Sequence, residues 1–222
     1  VRPPESNDEL IELVKLRAES FLGGGNRDRR VLTALRALDR AAFLPPDSRW
    51  AAYLDEPTAI GLGQTCSQPS MVAIMLDRLR LFPGARVLEV GAGCGYAAAA
   101  LAILCSPGGS VISAEILPEL AAAAHANCVV ALATVPCSLE ILAIDGSAGL
   151  PDRAPFDRIL LSAGVRRRSF REEPLSAQLA EGGILIYPET RGKLYRVTRR
   201  SDRLVRESWD GVAFVSLRGG NA

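Results

Sequence analysis

Histidine is nearly absent, aromatic residues are scarce at 5%, and the five cysteines include no C-x-x-C pair. An odd set of thiols (Cys66, Cys94, Cys105, Cys128, Cys137) lying mostly among apolar neighbours argues against a disulfide framework or a zinc site, so reduced thiols and no metal are expected. The single histidine, His125, lies in an alanine-rich stretch and is read as structural. No apolar run is long enough to span a bilayer: the longest, residues 96–105, has ten residues. The opening VRPPESNDELIELVK is acidic and polar, unlike a secretory signal, so a soluble, cytoplasmic protein is expected. A marked excess of either charge is missing too. Lys plus Arg number 26 and Asp plus Glu 25, a net +1. From Arg158 onward 13 basic residues face 7 acidic ones, including Arg166, Arg167 and Arg168. That excess is read as a solvated face, and no nucleic-acid or membrane partner is expected.

What is present is patterned. With 48% apolar residues the 222-residue chain is expected to build one domain. A helix is predicted from residue 7 until the glycines at 23–25, and another over about 28–42, before Pro45-Pro46. Residues 45–57 read as an irregular connection. GLGQTCSQPSM, residues 61–71, is densely polar and runs into a helix beginning near Pro69. From Arg86 onward short apolar strands alternate with helices: strands at 87–90, 111–115, 139–145 and 158–163, helices at 96–105, about 118–132 and about 174–180, then GILIYP. This is the signature of a parallel sheet covered on both faces. The last forty residues alternate more and read as antiparallel edge strands. The expected layout is a helical extension over 1–60, an α/β core over 61–190, and edge strands over 191–222.

VLEVGAGCGY places Gly91, Gly93 and Gly95 between a strand and a helix, where glycines permit a tight turn and close approach to a ligand. The pattern is G-x-G-x-G, with the third glycine one place earlier than in the dinucleotide fingerprint. Glu89, just before the turn, would repel a pyrophosphate and attract a cation. Glu115, at the end of the next strand, is placed to accept hydrogen bonds from a ribose diol. Together they suit S-adenosylmethionine, with its sulfonium and amino charges, better than NAD. Asp145 and Gly146, ending the third strand, stand where ligands of open α/β sheets bind.

Beyond that local pattern, the chain resembles the protein-L-isoaspartate O-methyltransferases. The resemblance rests on FLPPDSRWAAYLDEPTAIGLGQTCSQPSMVAIML, PGARVLEVGAGCGYAAAALA, the DG of AIDGSAGLPDRAPFDRILLSAG, LSAQLAEGGILIYP and VAFVSLRG, in that order. It implies a Rossmann-like class I S-adenosylmethionine-dependent methyltransferase with a mostly parallel, twisted sheet. It also implies methyl transfer to the α-carboxylate of L-isoaspartyl and D-aspartyl residues in damaged proteins, by a monomer. Gln64, Thr65, Cys66 and Ser67 would border the cofactor, with Cys66 where the family has isoleucine and Ser67 at the active-site serine. Glu89, Gly91 and Gly93 would hold the methionine end, Glu115 the ribose, and Asp145 with Gly146 the adenine. Ser70, Gly164 and Val165 would lie beside the substrate.

Methylating a carboxylate needs no strong base, because a carboxyl group of pKa about 3.5 is already ionised at neutral pH. A nucleophilic Ser67 or Cys66 would need a base that this stretch does not offer. Ser67 is therefore expected to orient the acceptor, to cap the helix at Pro69, or both. The loop GVRRRSFREEP (164–174) leaves two alternatives open: a related methyltransferase with another acceptor, a biosynthetic peptide or RNA, and a cofactor-binding module without turnover.

Overall fold

A computed structural model describes residues 2–22, 28–201 and 203–222. Helix α1 (Asn7–Leu22) buries Leu10, Ile11, Val14 and Ala18, the one-sided spacing of an amphipathic helix. The glycines expected to stop it lie outside the described residues. Helix α2 (Arg29–Arg36) is capped by Asp28, whose side chain accepts from the Arg30 N–H at 3.0 Å. It does not continue to Ala42 as expected. Asp39 adopts an extended conformation and accepts the Ala41 N–H at 3.0 Å, starting a separate 3-10 turn, Arg40–Phe43.

That turn delivers Arg40 into the interior, with none of its surface exposed. Its guanidinium donates to the carbonyls of Ala51, Ala52, Leu54 and Glu56, to Thr58 Oγ1, and to Ser67 O. The connection expected to be irregular is thus wound around a buried cation, with a second 3-10 turn over Pro46–Ala51.

The polar stretch begins as a hairpin. Strands β1 (Thr58–Gly61) and β2 (Gln64–Cys66) pair antiparallel, with Thr58 opposite Cys66. Leu62 (φ 52°) and Gly63 (φ 72°) form the two-residue turn, both in the left-handed region that tight hairpins require. Helix α3 (Pro69–Leu79) follows. Its cap position is Gln68, whose side chain makes no capping bond, and Ser67 does not cap it as expected. Asp55 does so from a distance: its Oδ1 accepts the Ser70 N–H at 2.7 Å, and its Oδ2 accepts from Gln68 Nε2 and Arg17.

The α/β region is built from β3 (Arg86–Val90), α4 (Tyr96–Cys105), β4 (Ser110–Glu115), α5 (Pro118–Ala131), β5 (Ser138–Ala143), β6 (Phe156–Leu161), α6 (Glu173–Ser176), β7 (Leu179–Pro188), β8 (Arg191–Arg200) and β9 (Arg203–Ala213). These strands form one seven-stranded sheet in the order β5-β4-β3-β6-β7-β8-β9, parallel through β7 and antiparallel beyond it. Alternate residues feed two cores. Val87, Leu160, Ile184 and Ile186 meet α1 to α5, while Leu88, Ile159, Leu185 and Tyr187 meet the thinner layer containing α6. Helix α6 is only four residues long, shorter than expected. The ending VAFVSL is not a separate strand: it leaves β9 at Ala213, and Ser216 bridges to Gly164. Among the described residues no helix is long and apolar enough to cross a membrane.

Candidate active site

The strand order reverses between β3 and β6, and a ligand cleft is expected beyond the carboxyl ends of the strands at such a point. The glycine turn stands there. Gly93 (φ 56°) lies under the hairpin, where an added Cβ would come within 3.3 Å of Ile60 Cδ1. Gly95 (φ 88°) admits α5: a Cβ there would fall 2.8 Å from Cys128 Sγ and 3.0 Å from Ala124 O.

Glu89 lies on the floor of the turn, not at its mouth. It is fully buried, and its carboxylate accepts Ser113 Oγ at 2.6 Å and Ser162 Oγ at 2.7 Å. Burial pushes its pKa up to about 7 against the pull of the two hydroxyls, so its charge changes near neutrality. Glu115 leans over the turn, accepting the Gly93 N–H at 2.9 Å and the Leu117 N–H at 3.1 Å. Gly146 fits tightly, since a Cβ would meet Ala114 Cβ at 2.6 Å. Asp145 faces the chain's end, accepting from the backbone of Ser147 (2.8 Å) and Gly220 (2.9 Å). Burial raises its pKa, but these N–H groups outweigh that and hold it low.

Three cavities run in sequence from these groups. The first, about 40 Å³, is lined by Gln64, Gly91, Glu115, Gly146 and Arg218. The second, about 30 Å³, is lined by Thr65, Cys66, Ser67, Glu89, Gly91 and Gly93. The third, about 240 Å³, is lined by Thr65, Ser67, Gln68, Met71, Thr190 and Arg191 among others. Gly91 is common to the first two, and Thr65 with Ser67 to the last two. Every residue expected at the cofactor except Asp145 lines the first or second cavity. A wider groove of about 790 Å³, bordered by Arg80, Arg158, Arg196, Arg200 and Arg203, includes the start of β7 and Ser201 after β8. It lies away from the glycine turn and shares no lining residue with the three cavities.

Ser70, Gly164 and Val165, expected beside the substrate, do not line the third cavity. Ser70 is buried, with its N–H on Asp55. Gly164 and Val165 are tied by backbone bonds to Val215, Leu217, Pro188 and Thr190, and Val165 is buried in the second core. They support the wall that Thr190 and Arg191 present. Cys66 is buried beside Cys94 and Arg40, which draw its thiol toward the ionised form while burial opposes it. His125 is on the exposed face of α5 and lines none of these cavities.

A model of the protein-L-isoaspartate(D-aspartate) O-methyltransferase family matches residues 6–222. The chain belongs to this family. Protein-L-isoaspartate O-methyltransferases of Methylorubrum populi and Roseiflexus sp. are both 44% identical to it, over 90% and 89% of this chain and 92% and 88% of theirs. One from Methanopyrus kandleri is 42% identical over 87% of this chain and 85% of its own. Among solved structures, a Plasmodium falciparum protein-L-isoaspartate O-methyltransferase in complex with S-adenosyl-L-homocysteine superposes with a TM-score of 0.80. It is 25% identical, over 97% of this chain and 99% of that one. Another protein-L-isoaspartate O-methyltransferase gives 0.79 at 26% identity, over 97% of this chain and 66% of that one. The fold is that of a class I methyltransferase.

Within this methyltransferase fold, sequence reasoning missed Ser113, Ser162, Asp55, Arg40, Thr190 and Arg191. Ser113 had a signal: in adjacent parallel strands it pairs in register with Glu89. The others reach the site from separate segments, and no local pattern marks them.

Proposed function

We propose that this protein transfers a methyl group from S-adenosyl-L-methionine to the α-carboxylate of L-isoaspartyl and D-aspartyl residues in damaged proteins. The observation that carries the reading is that Thr65 and Ser67 line both the cavity beside the glycine turn and the larger one beyond. A group on the glycine-turn side and an acceptor on the other would thus meet at these two side chains.

The residues present fit the cofactor. Glu89 is a carboxylate held among hydroxyls on the floor of the second cavity, and Glu115 presents a carboxylate at the first. Glu89, Gly91 and Gly93 would hold its methionine end, Glu115 the ribose, and Gln64 and Gly146 the nucleoside beyond. Bound S-adenosylmethionine supplies a methyl group activated by a sulfonium. The Ser67 hydroxyl donates to the acceptor carboxylate and sets its approach, while the apolar walls of Pro57, Met71 and Phe214 keep water from solvating it. Alignment of this kind is worth up to roughly 7–11 kcal/mol. No residue need remove a proton. The protein is proposed to act as a cytoplasmic monomer on proteins and peptides, not on nucleic acid.

The test offers radiolabelled S-adenosylmethionine with an isoaspartyl peptide, its aspartyl twin and RNA. Base-labile label on the isoaspartyl peptide alone is expected. No label on that peptide, with cofactor binding intact, would overturn the reading.

A further inference from the structure

We propose that the third cavity contains an anion subsite, formed by Arg191, that takes an acidic side chain flanking the isoaspartyl residue of the acceptor chain. The proposal rests on reading this cavity as the acceptor's. Arg191 is the one charged residue among its lining. Pro57, Met71, Ala213, Phe214 and Val215 are apolar, and Thr65, Ser67, Gln68 and Thr190 are neutral.

The cation is left free by the way its turn is built. Arg191 is exposed, and its guanidinium has no hydrogen-bond or ion-pair partner among the described residues. The nearest acid in sequence, Glu189, is turned inward, accepting the Lys193 N–H at 3.0 Å and the Tyr195 hydroxyl at 3.1 Å. A Cβ at Gly192 (φ 140°) would fall 2.1 Å from Glu189 Oε2, so that inward carboxylate is part of the turn's geometry. Lys193 pairs with Asp210 at 3.5 Å. Among the described residues, the two acids flanking Arg191 across this pairing, Glu189 and Asp210, are thus engaged with other groups.

The backbone beneath is anchored on both sides. The Thr190 N–H donates to Val165 O at 2.9 Å, the Phe214 N–H donates to Thr190 O at 3.0 Å, and Arg191 pairs in register with Ala213. A fixed backbone carrying an unpaired guanidinium at an apolar wall suits a carboxylate, which arginine binds through two parallel hydrogen bonds. The acceptor carboxylate itself is a poor occupant, because pairing with Arg191 would stabilise the charge that must attack. A second carboxylate on the same peptide binds without that penalty.

The test uses isoaspartyl peptides identical except for Glu, Gln or Lys at one position, placed directly before or directly after the isoaspartate. For the wild-type protein kcat/KM should favour Glu over Gln by roughly fivefold on one side, the upper range for an ion pair near a surface. The difference should sit in KM and shrink as salt is raised. Arg191→Gln should erase the Glu-to-Gln ratio and Arg191→Glu should tip it toward Lys. The ratio is taken within each variant, and S-adenosylhomocysteine affinity shows that the rest of the site is intact. A wild-type ratio of one on both sides overturns the subsite, while methylation of all the peptides leaves the function standing. An equal fall in kcat on every peptide for Arg191→Gln also overturns it, by putting Arg191 on the acceptor carboxylate. If wild type methylates none of the peptides, the functional reading fails and the subsite falls with it.

Discussion

The two sides of Thr65 and Ser67 are built differently. On the glycine-turn side Glu89, Gly91 and Gly93 come from one strand and the turn that follows it, and Glu115 comes from the next strand in the sheet. Neighbours in space are there close in sequence or fixed by parallel register. On the other side the wall gathers Pro57, Met71, Thr190 and Phe214 from distant parts of the chain. They are held by long-range contacts such as Asp55 to Ser70 and Phe214 to Thr190. The first side depends on local backbone geometry, the second on a few buried polar residues that join separate segments.

The largest expected effect comes from cutting one of those joints. The Asp55 side chain is fully buried and paired with a half-exposed Arg17, besides capping α3. Asp55→Ala should lower unfolding free energy by about 3 kcal/mol, the range for leaving a buried polar network without its acceptor. Urea denaturation reads this, and a loss under about 1 kcal/mol would show that α3 and the hairpin are held by other contacts. Glu115→Ala and Ser67→Ala separate the two sides directly. The first should weaken S-adenosylhomocysteine binding about 30-fold, near 2 kcal/mol, through loss of hydrogen bonds to a charged acceptor. The second should lower kcat about 10-fold with that affinity kept, because it removes a bond made to the acceptor. If both variants lost cofactor affinity equally, the division between the sides would be wrong.

The smallest effect is a pH dependence. The pKa of Glu89 is raised in the fold, so its contribution to stability is present at low pH and lost as pH rises through about 7. A cation bound nearby favours the ionised form. Calorimetry should therefore show cofactor affinity rising as pH passes through about 7 and levelling above it, with Glu89→Gln flattening the profile. A flat wild-type profile would remove Glu89 from the cationic end of the ligand.

The same contrast explains what could be read from the chain. Helix α4 was legible to its end residues because a glycine turn starts it and an unbroken apolar run fills it. The parallel strands followed from their apolar runs. The hairpin β1–β2 was not, since its turn uses Leu62 in a left-handed conformation that propensity assigns to Gly or Asn. The cap of α3 was assigned to Ser67 by proximity, yet Asp55 wins it from 15 positions away. The floor position of Glu89 needed the strand register, which shows Ser113 beside it. Arg191 and Thr190 carry no local pattern at all. Their place beside Met71 and Phe214 exists only once β8 and β9 have been added to the sheet.

Arg40 gives the acceptor side one more property. A single guanidinium collects the carbonyls of Ala51, Ala52, Leu54 and Glu56 together with Thr58 Oγ1 and Ser67 O. Freeing Ser67 from this hub while the others stay bound leaves the cation buried with fewer oxygens around it, so the segments share a common reason to stay closed. In native-state hydrogen exchange the amides of residues 51–56, of Thr58 and of β2 should open together, with one free energy, as a cooperative unit distinct from the sheet.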